Sequence, residues 1–363
     1  MKKVLFLGRF TPPVHGAALM NENYFNAIKE DKNFNIKRIR INYSQSLDEI
    51  GRVNLQKFFG FFIVFFSLFK ELISFRPDTV YFELAPRGFA FYRDSIYVLL
   101  CKIFRRRIVF HFQAKGIVSL NNNILSRIYL RLIFNKTEAI ILSELLYYDI
   151  KYFINKQRVY VVPNAIKDNL KEIEFRRILM RKKNKKVNLL FLSNMIESKG
   201  PLDVLEICAE LKKRKINFVC NFAGAFSSED FKRKFFSQLK ELNLDKDCFY
   251  LGPVYGEKKF KILERSDYLI FPTYYPQEGL PLVILEALMY GIPCLSYDNA
   301  AVKGIVSKRE LGFVAKQHDW ISLVKELIRR ISLKKENPVK IRQEFKNNYL
   351  LEKSVEKVKE ILK

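Results

Sequence analysis

The sequence has few of the residues from which metal and redox sites are built. Its 363 residues include three histidines and five cysteines, and the cysteines are scattered with no Cys-x-x-Cys pair. Isolated cysteines in mostly apolar segments indicate buried thiols in a reducing compartment rather than a disulfide or zinc framework. The histidines are not spaced to bind a transition metal, so we expect no metal site of this kind.

Motifs of several common protein classes are also missing. Residues 8–12 (GRFTP) do not supply the Gly-x-Gly-x-x-Gly of a dinucleotide dehydrogenase. The apolar stretch at residues 4–7 is shorter than the roughly 7–15 apolar residues of a secretory signal, so we interpret it as a first strand. Residues 245–247 (DKD) match the Asp-x-Asp of metal-dependent transferases, but they lie in a polar stretch that is typical of a turn.

Acidic residues are heavily outnumbered. The chain carries 64 Lys and Arg against 38 Asp and Glu, a formal net charge of +26 that is spread along its length. This balance favours an anionic partner (nucleic acid, an acidic membrane or a phosphate-bearing substrate), unless it reflects a high background of lysine. Since no recognition helix or RNA-binding signature accompanies the charge, we expect no nucleic-acid partner.

One long apolar run is present, but it is too short to cross a bilayer. Residues 58–69 (FFGFFIVFFSLF) contain no charge and are flanked by Lys57 and Lys70. A spanning helix needs about 20 apolar residues. Two interpretations stay open: a buried helix, and a helix that lies in the membrane surface with basic residues at its ends.

Short apolar runs alternate with longer helical patterns along the chain. The runs lack polar alternation, which is typical of parallel strands covered on both faces. This βαβ succession predicts an α/β protein with doubly wound parallel sheets. We predict strands at residues 3–7, 79–82, 108–112, 139–142, 159–162, 188–192, 218–223, 249–251, 268–272 and 293–296, and helices at 17–30, 95–104, 202–213, 231–242 and 282–290.

One interruption of this alternation divides the chain. After residues 163–165 (PNA) comes a charge-dense stretch ending in RKKNKK, and the pattern then restarts. Because ligands of such sheets bind at the carboxyl ends of the strands, we expect the site in a cleft between two domains. The predicted parts are an N-terminal Rossmann-like domain (1–166), a charged linker (167–186), a C-terminal Rossmann-like domain (187–340) and a helical segment that packs back on the N-terminal domain (341–363).

The most informative stretch is QEGLPLVILEALMYGIP, residues 277–293. We predict a helix that has Pro281 in its first turn and ends at Gly291. Because this helix is apolar on every side apart from Glu286, we predict that it is buried all round. An unpaired buried carboxylate is costly, so Glu286 needs hydrogen-bond donors. Ribose or sugar hydroxyls would supply them, and so would a distant arginine or a backbone amide.

Glu278 lies eight residues before Glu286, in the loop at the start of this helix. The N–H groups of the first helical turn, near Leu282, point to the same space and favour an anion such as a diphosphate. This Glu-x7-Glu on a strand, loop and helix, followed by Gly-x-Pro, resembles the donor site of the family 4 glycosyltransferases. The resemblance implies a retaining enzyme of GT-B fold, with two Rossmann-like domains facing each other across a cleft.

Other segments carry the same resemblance over nearly the whole chain. Residues 191–194 and 198–200 resemble the loop with which the family holds the donor diphosphate. Lys199 matches that pattern, whereas Asn194 stands where an arginine is often found. Further similar segments are residues 12–17 (PPVHGA), 162–165 (VPNA), 251–254 (LGPV) and 266–268 (SDY).

The resemblance also implies roles for individual residues. Glu278 contacts the donor sugar near its anomeric carbon as a catalytic residue, and Glu286 holds the nucleotide ribose. Protein donors stabilise the charge on the departing diphosphate, so no metal is required. The remaining donor-binding residues are Lys199, Asn194, Gly279, Leu280, Leu282 and, in the N-terminal domain, Gly16.

In the N-terminal domain, the family often has a histidine after the strand that here covers residues 109–112. Two registers place His111 or Gln113 there as a catalytic residue, and strand alternation puts both on one face. The alternative for His111 is a satisfied core histidine. His15 and Arg93 lie in segments that the resemblance places on the acceptor side, although an ion pair of Arg93 with Asp94 at the surface is equally plausible.

The resemblance implies a metal-independent glycosyltransferase with no bound cofactor. It would move a sugar from a UDP- or GDP-linked donor to a glycan or lipid-linked acceptor in bacterial surface-polysaccharide biosynthesis. The basic surface and residues 58–69 favour a cytoplasmic protein docked on the anionic inner face of the cell membrane. A nucleotide-sugar epimerase of related two-domain architecture and a basic nucleic-acid-binding protein are the alternatives.

Overall fold

The computed structural model describes residues 1–12, 16–41, 55–181, 186–299, 301–307, 310–333 and 336–363. The chain divides into two units, the first made of Met1–Ala165 and Leu351–Lys363, the second of Ile166–Leu350. Each unit contains one six-stranded sheet in which every pairing is parallel. The predicted α/β class with doubly wound parallel sheets is confirmed.

The strands follow the apolar runs of the sequence closely. They are β1 (Lys2–Gly8), β2 (Phe34–Arg40), β3 (Thr79–Phe82), β4 (Arg107–Phe112), β5 (Glu138–Ile141), β6 (Val159–Val161), β7 (Val187–Leu192), β8 (Phe218–Ala223), β9 (Cys248–Tyr250), β10 (Tyr268–Phe271), β11 (Cys294–Tyr297) and β12 (Gly312–Ala315).

The helices lie between these strands and after the last one. They are α1 (Gly16–Lys29), α2 (Leu55–Ser74), α3 (Gly88–Ile103), α4 (Ile124–Phe134), α5 (Glu172–Met180), α6 (Pro201–Lys213), α7 (Glu229–Glu241), α8 (Gly256–Arg265), α9 (Leu282–Met289), α10 (Val302–Val306), α11 (Trp320–Leu333), α12 (Pro338–Asn348) and α13 (Leu351–Leu362).

Two strands, β2 and β12, are missed by the sequence prediction, and both lie at sheet edges. In β2 (FNIKRIR) polar and basic residues interrupt the apolar ones, and this edge strand is only partly buried. The charge-dense stretch that we predict as a linker contains helix α5. Pro281 is the N-cap residue of α9 rather than part of its first turn, so that detail of the prediction is wrong.

The first sheet has the order β2-β1-β3-β4-β5-β6. Right-handed crossovers place α2, α3 and α4 together on one face and α1 on the other. Helix α13, from the end of the chain, packs beside α1. Its Ser354 lies 2.6 Å from the Tyr24 hydroxyl, and its Lys359 forms an ion pair of 3.0 Å with Asp31.

The second sheet has the order β12-β11-β10-β7-β8-β9. The chain therefore adds β8 and β9 on one side of β7, and β10, β11 and β12 on the other. The point of reversal lies between β7 and β10, which is where open parallel sheets bind their ligands, outside the carboxyl ends of the strands.

Candidate active site

The carboxyl ends of β7 and β10 bring together two residues predicted from the sequence. Lys199 follows β7 and Glu278 follows β10. The Lys199 ammonium lies 2.6 Å from Glu278 Oε2, and the Thr273 hydroxyl donates to the same oxygen at 2.8 Å. Lys199 also stands 4.5 Å from the ring centre of Tyr275, a cation–π contact. A cation and a carboxylate thus meet where the strand order reverses.

The local sequence fixes the position of Lys199. A short 3-10 helix, Glu197–Lys199, ends at Gly200, which has φ of +84°. A Cβ on Gly200 would lie only 2.2 Å from the Pro272 carbonyl oxygen, so glycine lets the two loops touch. The Tyr274 N–H donates to the Ser198 carbonyl at 2.9 Å and holds the loops together.

Glu278 itself is buried, with 7% of its surface exposed. Its position in the loop between β10 and α9 is fixed by a hydrogen bond from its own N–H to the Tyr275 carbonyl at 3.1 Å. Thr273 is not predicted from the sequence as the partner of Glu278. Its position in the sequence could have identified it as a site residue, because a polar residue directly after an apolar strand lies at the ligand-binding edge of the sheet.

Glu286 has a different environment from the one predicted. Leu282, Val283 and Glu286 are partly exposed, so α9 has one open face and the prediction that it is buried all round is wrong. The Lys259 ammonium, on α8, donates to Glu286 Oε1 in a short ion pair. A distant cation therefore satisfies one carboxylate oxygen. Lysine supplies that cation, not the arginine or backbone amide that we considered.

The remaining predicted donor-binding residues lie at the same sheet edge. Asn194 is exposed at the end of β7, in the loop that leads to Lys199. Gly279 and Leu280 are buried in the loop after β10, and Leu282 is the first residue of α9. Because the N-cap Pro281 makes no side-chain cap, no N-cap side chain covers the N–H groups of the first turn.

An open pocket of about 430 Å³ adjoins this edge. The residues that line it follow β7, β8 and β10, the three strands around the point of reversal. They are Ile196, Glu197, Ser198, Ser227, Ser228, Phe231 and Tyr274. Ser198 and Tyr274 belong to the loops that carry Lys199 and Glu278, so the pocket lies beside the paired cation and carboxylate, although neither of those two residues lines it.

In the first unit, the structure brings His111 and Gln113 together on one face, as strand alternation predicts. His111 Nε2 lies 3.1 Å from the Gln113 amide nitrogen, and the Tyr81 hydroxyl contacts Nδ1. His111 has no exposed surface, and this burial lowers its pKa to about 3. The imidazole is therefore neutral and cannot exchange protons readily with solvent.

Arg93 lies on α3 and binds its neighbour Asp94 through two hydrogen bonds, of 2.9 and 2.6 Å. Asp94 is fully buried, and desolvation raises its pKa. The pair is therefore not a surface ion pair of two exposed side chains. Gly16 begins α1, while His15 lies outside the described residues.

A second ion pair in the first unit lies at the carboxyl ends of β1 and β3. Arg9 directly follows β1, and Glu83 directly follows β3. The Arg9 guanidinium binds Glu83 Oε1 in a short ion pair, and its backbone N–H donates to Oε2 at 2.8 Å. Asn21 donates to Oε2 as well, at 2.6 Å. This cluster is not predicted from the sequence.

Within the described ranges, no group of three or more His, Cys, Asp and Glu residues is arranged to hold a metal ion. The Asp-x-Asp stretch precedes β9, as expected for a turn, and its Asp247 pairs with Lys212 at 3.2 Å.

Comparison with known proteins identifies related sequences. Residues 172–349 match the family described as Glycosyl transferases group 1. The capsular polysaccharide biosynthesis glycosyltransferase CapH of Staphylococcus aureus is 29% identical over 154 residues, 41% of each chain. The UDP-Gal:alpha-D-GlcNAc-diphosphoundecaprenol alpha-1,3-galactosyltransferase of Escherichia coli is 24% identical over 221 residues, 58% of this chain and 55% of that one. The chain thus spans about half the length of these curated relatives.

A solved structure extends the likeness to the whole fold. The glycosyltransferase from Rickettsia africae ESF-5 matches with a TM-score of 0.78 and 15% identity, over 99% of this chain and 98% of that chain. At this identity the likeness shows the fold alone, and it confirms the predicted GT-B class. The matched family and the curated relatives confirm the predicted resemblance to glycosyltransferases of bacterial polysaccharide synthesis.

Proposed function

We propose that this chain, in which residues 172–349 match the glycosyl transferases group 1 family, is a retaining glycosyltransferase. It moves a sugar from a nucleotide-sugar donor to a glycan or lipid-linked acceptor of a bacterial surface polysaccharide. The observation that carries the proposal is the Lys199–Glu278 pair at the β7–β10 edge, inside the matched segment. The UDP-Gal in the name of the Escherichia coli relative supports a UDP-linked donor.

Glu278 and Lys199 divide the chemistry of the donor between them. Lys199 and Thr273 both bind Glu278 Oε2, so we assign Oε1 to a hydroxyl of the donor sugar. In the reaction, the bond from the anomeric carbon to the diphosphate oxygen breaks, a bond to the acceptor hydroxyl oxygen forms, and the proton of that hydroxyl passes to the departing diphosphate. Lys199 stabilises the charge that grows on the diphosphate, together with Asn194, with Gly279 and Leu280 in the loop, and with the start of α9 at Leu282.

Glu286 binds the nucleotide ribose in this proposal. Lys259 holds Oε1, so Oε2 accepts from a ribose hydroxyl. A carboxylate with one oxygen fixed by a lysine is already oriented before the donor arrives. That preorganisation lowers the entropy lost on binding.

In the first unit we propose that Gln113 contacts the reacting sugars and that His111 positions it. The full burial of His111 favours a neutral hydrogen-bonding role over proton transfer. Gly16 would face the donor diphosphate through its backbone, and Arg93 and His15 would lie on the acceptor side. These assignments rest on the family resemblance.

Transfer is proposed to need no metal and no bound cofactor, since protein groups meet the diphosphate charge. Incubation with EDTA should leave the rate unchanged, as measured by release of the nucleoside diphosphate. A full loss of activity that Mn²⁺ or Mg²⁺ restores would contradict this part of the proposal.

We further propose that the protein is cytoplasmic and associates with the inner face of the cell membrane.

A thermal-shift panel tests the donor assignment directly. UDP-, GDP-, ADP- and dTDP-sugars are each added to the full chain, and the UDP-sugar is expected to stabilise it. A ligand present at about 100 times its dissociation constant raises the free energy of unfolding by about 2.7 kcal/mol. No shift with any nucleotide sugar, together with stabilisation by DNA or RNA, would contradict the proposal. Conversion of the donor sugar without an acceptor would indicate an epimerase instead.

A further inference from the structure

Helix α2 has two apolar faces, of which only one is used by the core. Val64, Leu68 and Leu72 are buried against the first sheet. On the outer side, Phe59 and Ile63 are 65% and 67% exposed. A surface helix normally carries polar residues on its outer side. The outer side of α2 is therefore built for an apolar environment other than the protein core.

The neighbouring helices continue this outer surface. The ring of Phe61 on α2 stacks on Tyr97 of α3, with 5.5 Å between ring centres. Lys102, at the end of α3, donates at 2.7 Å to each of the carbonyls of Leu132 and Asn135, at the end of α4. The three helices thus lie side by side on one face of the first sheet.

Their exposed apolar side chains form what we call the apolar face. A large apolar patch on a soluble protein marks a site of interaction. The apolar face consists of Phe59, Phe62, Ile63, Phe66, Phe69 and Ile73 on α2, Phe89, Tyr92, Ile96 and Ile103 on α3, and Ile124, Leu125, Ile128 and Leu132 on α4.

Among the described side chains of these three helices, the exposed charges are all basic. Arg127 and Arg131 are exposed on α4, among its exposed apolar residues. The three helices contain two acidic residues: Asp94 is fully buried and Glu71 is paired with Lys37 at 2.8 Å. The face therefore presents apolar groups and positive charge without an exposed, unpaired carboxylate from its own helices.

We propose that the apolar face docks on the surface of an anionic lipid bilayer. Apolar side chains enter the boundary between headgroups and acyl chains, and the arginines bind lipid phosphates. The 20 residues of α2 give it a length of about 30 Å, which lies in the plane of the interface. Within the part of the chain that the structure describes, no helix is long and apolar enough to cross a bilayer.

Charge complementarity favours lipid over the other occupants. A second copy of this chain would bring a face that carries the same positive charge, and the two would repel. A leaflet rich in anionic lipid supplies the opposite charge and an apolar layer with no fixed shape to match. The inference deepens the proposed function and rests on it, because a lipid-linked acceptor is found at such a surface.

Flotation with vesicles tests the docking. The full chain is mixed with vesicles of phosphatidylglycerol and phosphatidylcholine, or of phosphatidylcholine alone, at low and at high salt. We expect binding to the anionic vesicles that falls with salt. The triple variant Phe59→Gln/Ile63→Gln/Phe66→Gln should bind at least about tenfold more weakly. Replacing Arg127 or Arg131 by glutamine should weaken binding to the anionic vesicles about fivefold in each case.

A matched variant in the second unit provides the control. Ile173→Gln/Met180→Gln/Ile321→Gln changes three side chains that are also exposed on helices, and it should float like the unmodified chain. Circular dichroism of both triple variants checks that they are folded.

The outcomes separate the inference from the proposed function. The docking proposal would be overturned if the α2 triple variant floated like the unmodified chain, or if the chain bound equally well to neutral vesicles. It would also be overturned if the triple substitution broke up a dimer of this chain and left lipid binding unchanged. Donor binding is measured on the same samples by thermal shift without vesicles. A nucleotide-sugar shift in the absence of vesicle binding would therefore reject the bilayer and leave the transferase proposal standing.

Discussion

The two sheets of this chain each place a cation and a glutamate where the strand order reverses, but the two pairs differ. In the first sheet Arg9 and Glu83 directly follow their strands. In the second, Lys199 and Glu278 each lie seven residues beyond the strand end. The longer loops carry the second pair beyond the sheet edge, and Ser198 and Tyr274 of the same loops line a pocket.

Hydrogen bonding separates the pairs further. Glu83 receives donors on both oxygens from Arg9, and Asn21 adds another to Oε2. Among the described residues, Glu278 has two donors, Lys199 and Thr273, and both donate to Oε2. The same topology thus yields a saturated carboxylate that stabilises the fold and a carboxylate that can accept from a ligand. The position of a residue in a sheet indicates where a site can form. The number of carboxylate oxygens that already accept hydrogen bonds indicates whether a ligand can bind there.

The largest expected effect is on stability and falls on the first pair. Arg9→Met leaves Glu83, which is 2% exposed, without its counter-charge, and should cost about 3 kcal/mol of unfolding free energy. Urea unfolding measures the loss. Lys199→Met should lower the free energy of unfolding clearly less than Arg9→Met does in the same assay. Equal losses for the two variants would break the distinction between a structural and a ligand-binding pair.

The transfer rate should show the reverse order, with a larger loss in Lys199→Met than in Arg9→Met. Lys199→Met removes a charge that stabilises the departing diphosphate, and should lower the transfer rate about 100-fold. The variant Lys199→Arg retains the charge and should recover part of the rate. Single-turnover kinetics at saturating donor separate this effect from binding. A Lys199→Met enzyme with the wild-type rate would remove Lys199 from the proposed site.

A smaller effect is expected at the ribose position. Glu286→Ala removes a charged hydrogen-bond acceptor and should weaken donor binding by about 2 kcal/mol, as measured by calorimetry. Lys259→Met leaves the carboxylate in place but free to rotate, so its effect should be smaller. If Glu286→Ala binds the donor as tightly as the unmodified chain, the ribose assignment is wrong.

For a change of one pH unit, the smallest effect is expected at His111 in the first unit. The pKa of His111 is lowered to about 3 by burial, whereas an unfolded histidine titrates near 6.5. Between these values the unfolded chain binds a proton that the folded chain does not. The contribution of His111 to stability is therefore complete above pH 6.5 and falls by about 1.4 kcal/mol per pH unit below it.

The variant His111→Gln isolates this contribution. Its unfolding free energy should fall less steeply than that of the unmodified chain between pH 6.5 and pH 5. Comparing the slopes, rather than the absolute values, removes the cost of the substitution itself. Identical slopes would show that His111 is accessible to protons in the folded state.

Much of this fold can be predicted from the sequence because parallel strands buried on both faces form continuous apolar runs. The run that forms β8 is predicted with the bounds that it has in the structure. Edge strands are harder, since β2 is partly exposed and its charges hide the pattern. Helix α5 is missed for a related reason, because its charged outer surface resembles a linker.

The site shows the same limit at the level of single residues. Lys199 and Glu278 are predictable because each belongs to a motif with a recognisable spacing. The ion pair of Lys259 with Glu286 is not, because the two residues lie 27 positions apart on different helices and meet only through tertiary packing. The two faces of α2 are likewise indistinguishable in a sequence that is apolar on both.

Helix α13 has a consequence for the order in which the protein is made. It belongs to the first unit, where its Ser354 meets Tyr24 and its Ile361 carbonyl accepts from Arg107 at 2.7 Å. A ribosome produces these residues only after it has synthesised the whole second unit. The first unit, although most of it is synthesised first, is therefore the last to become complete.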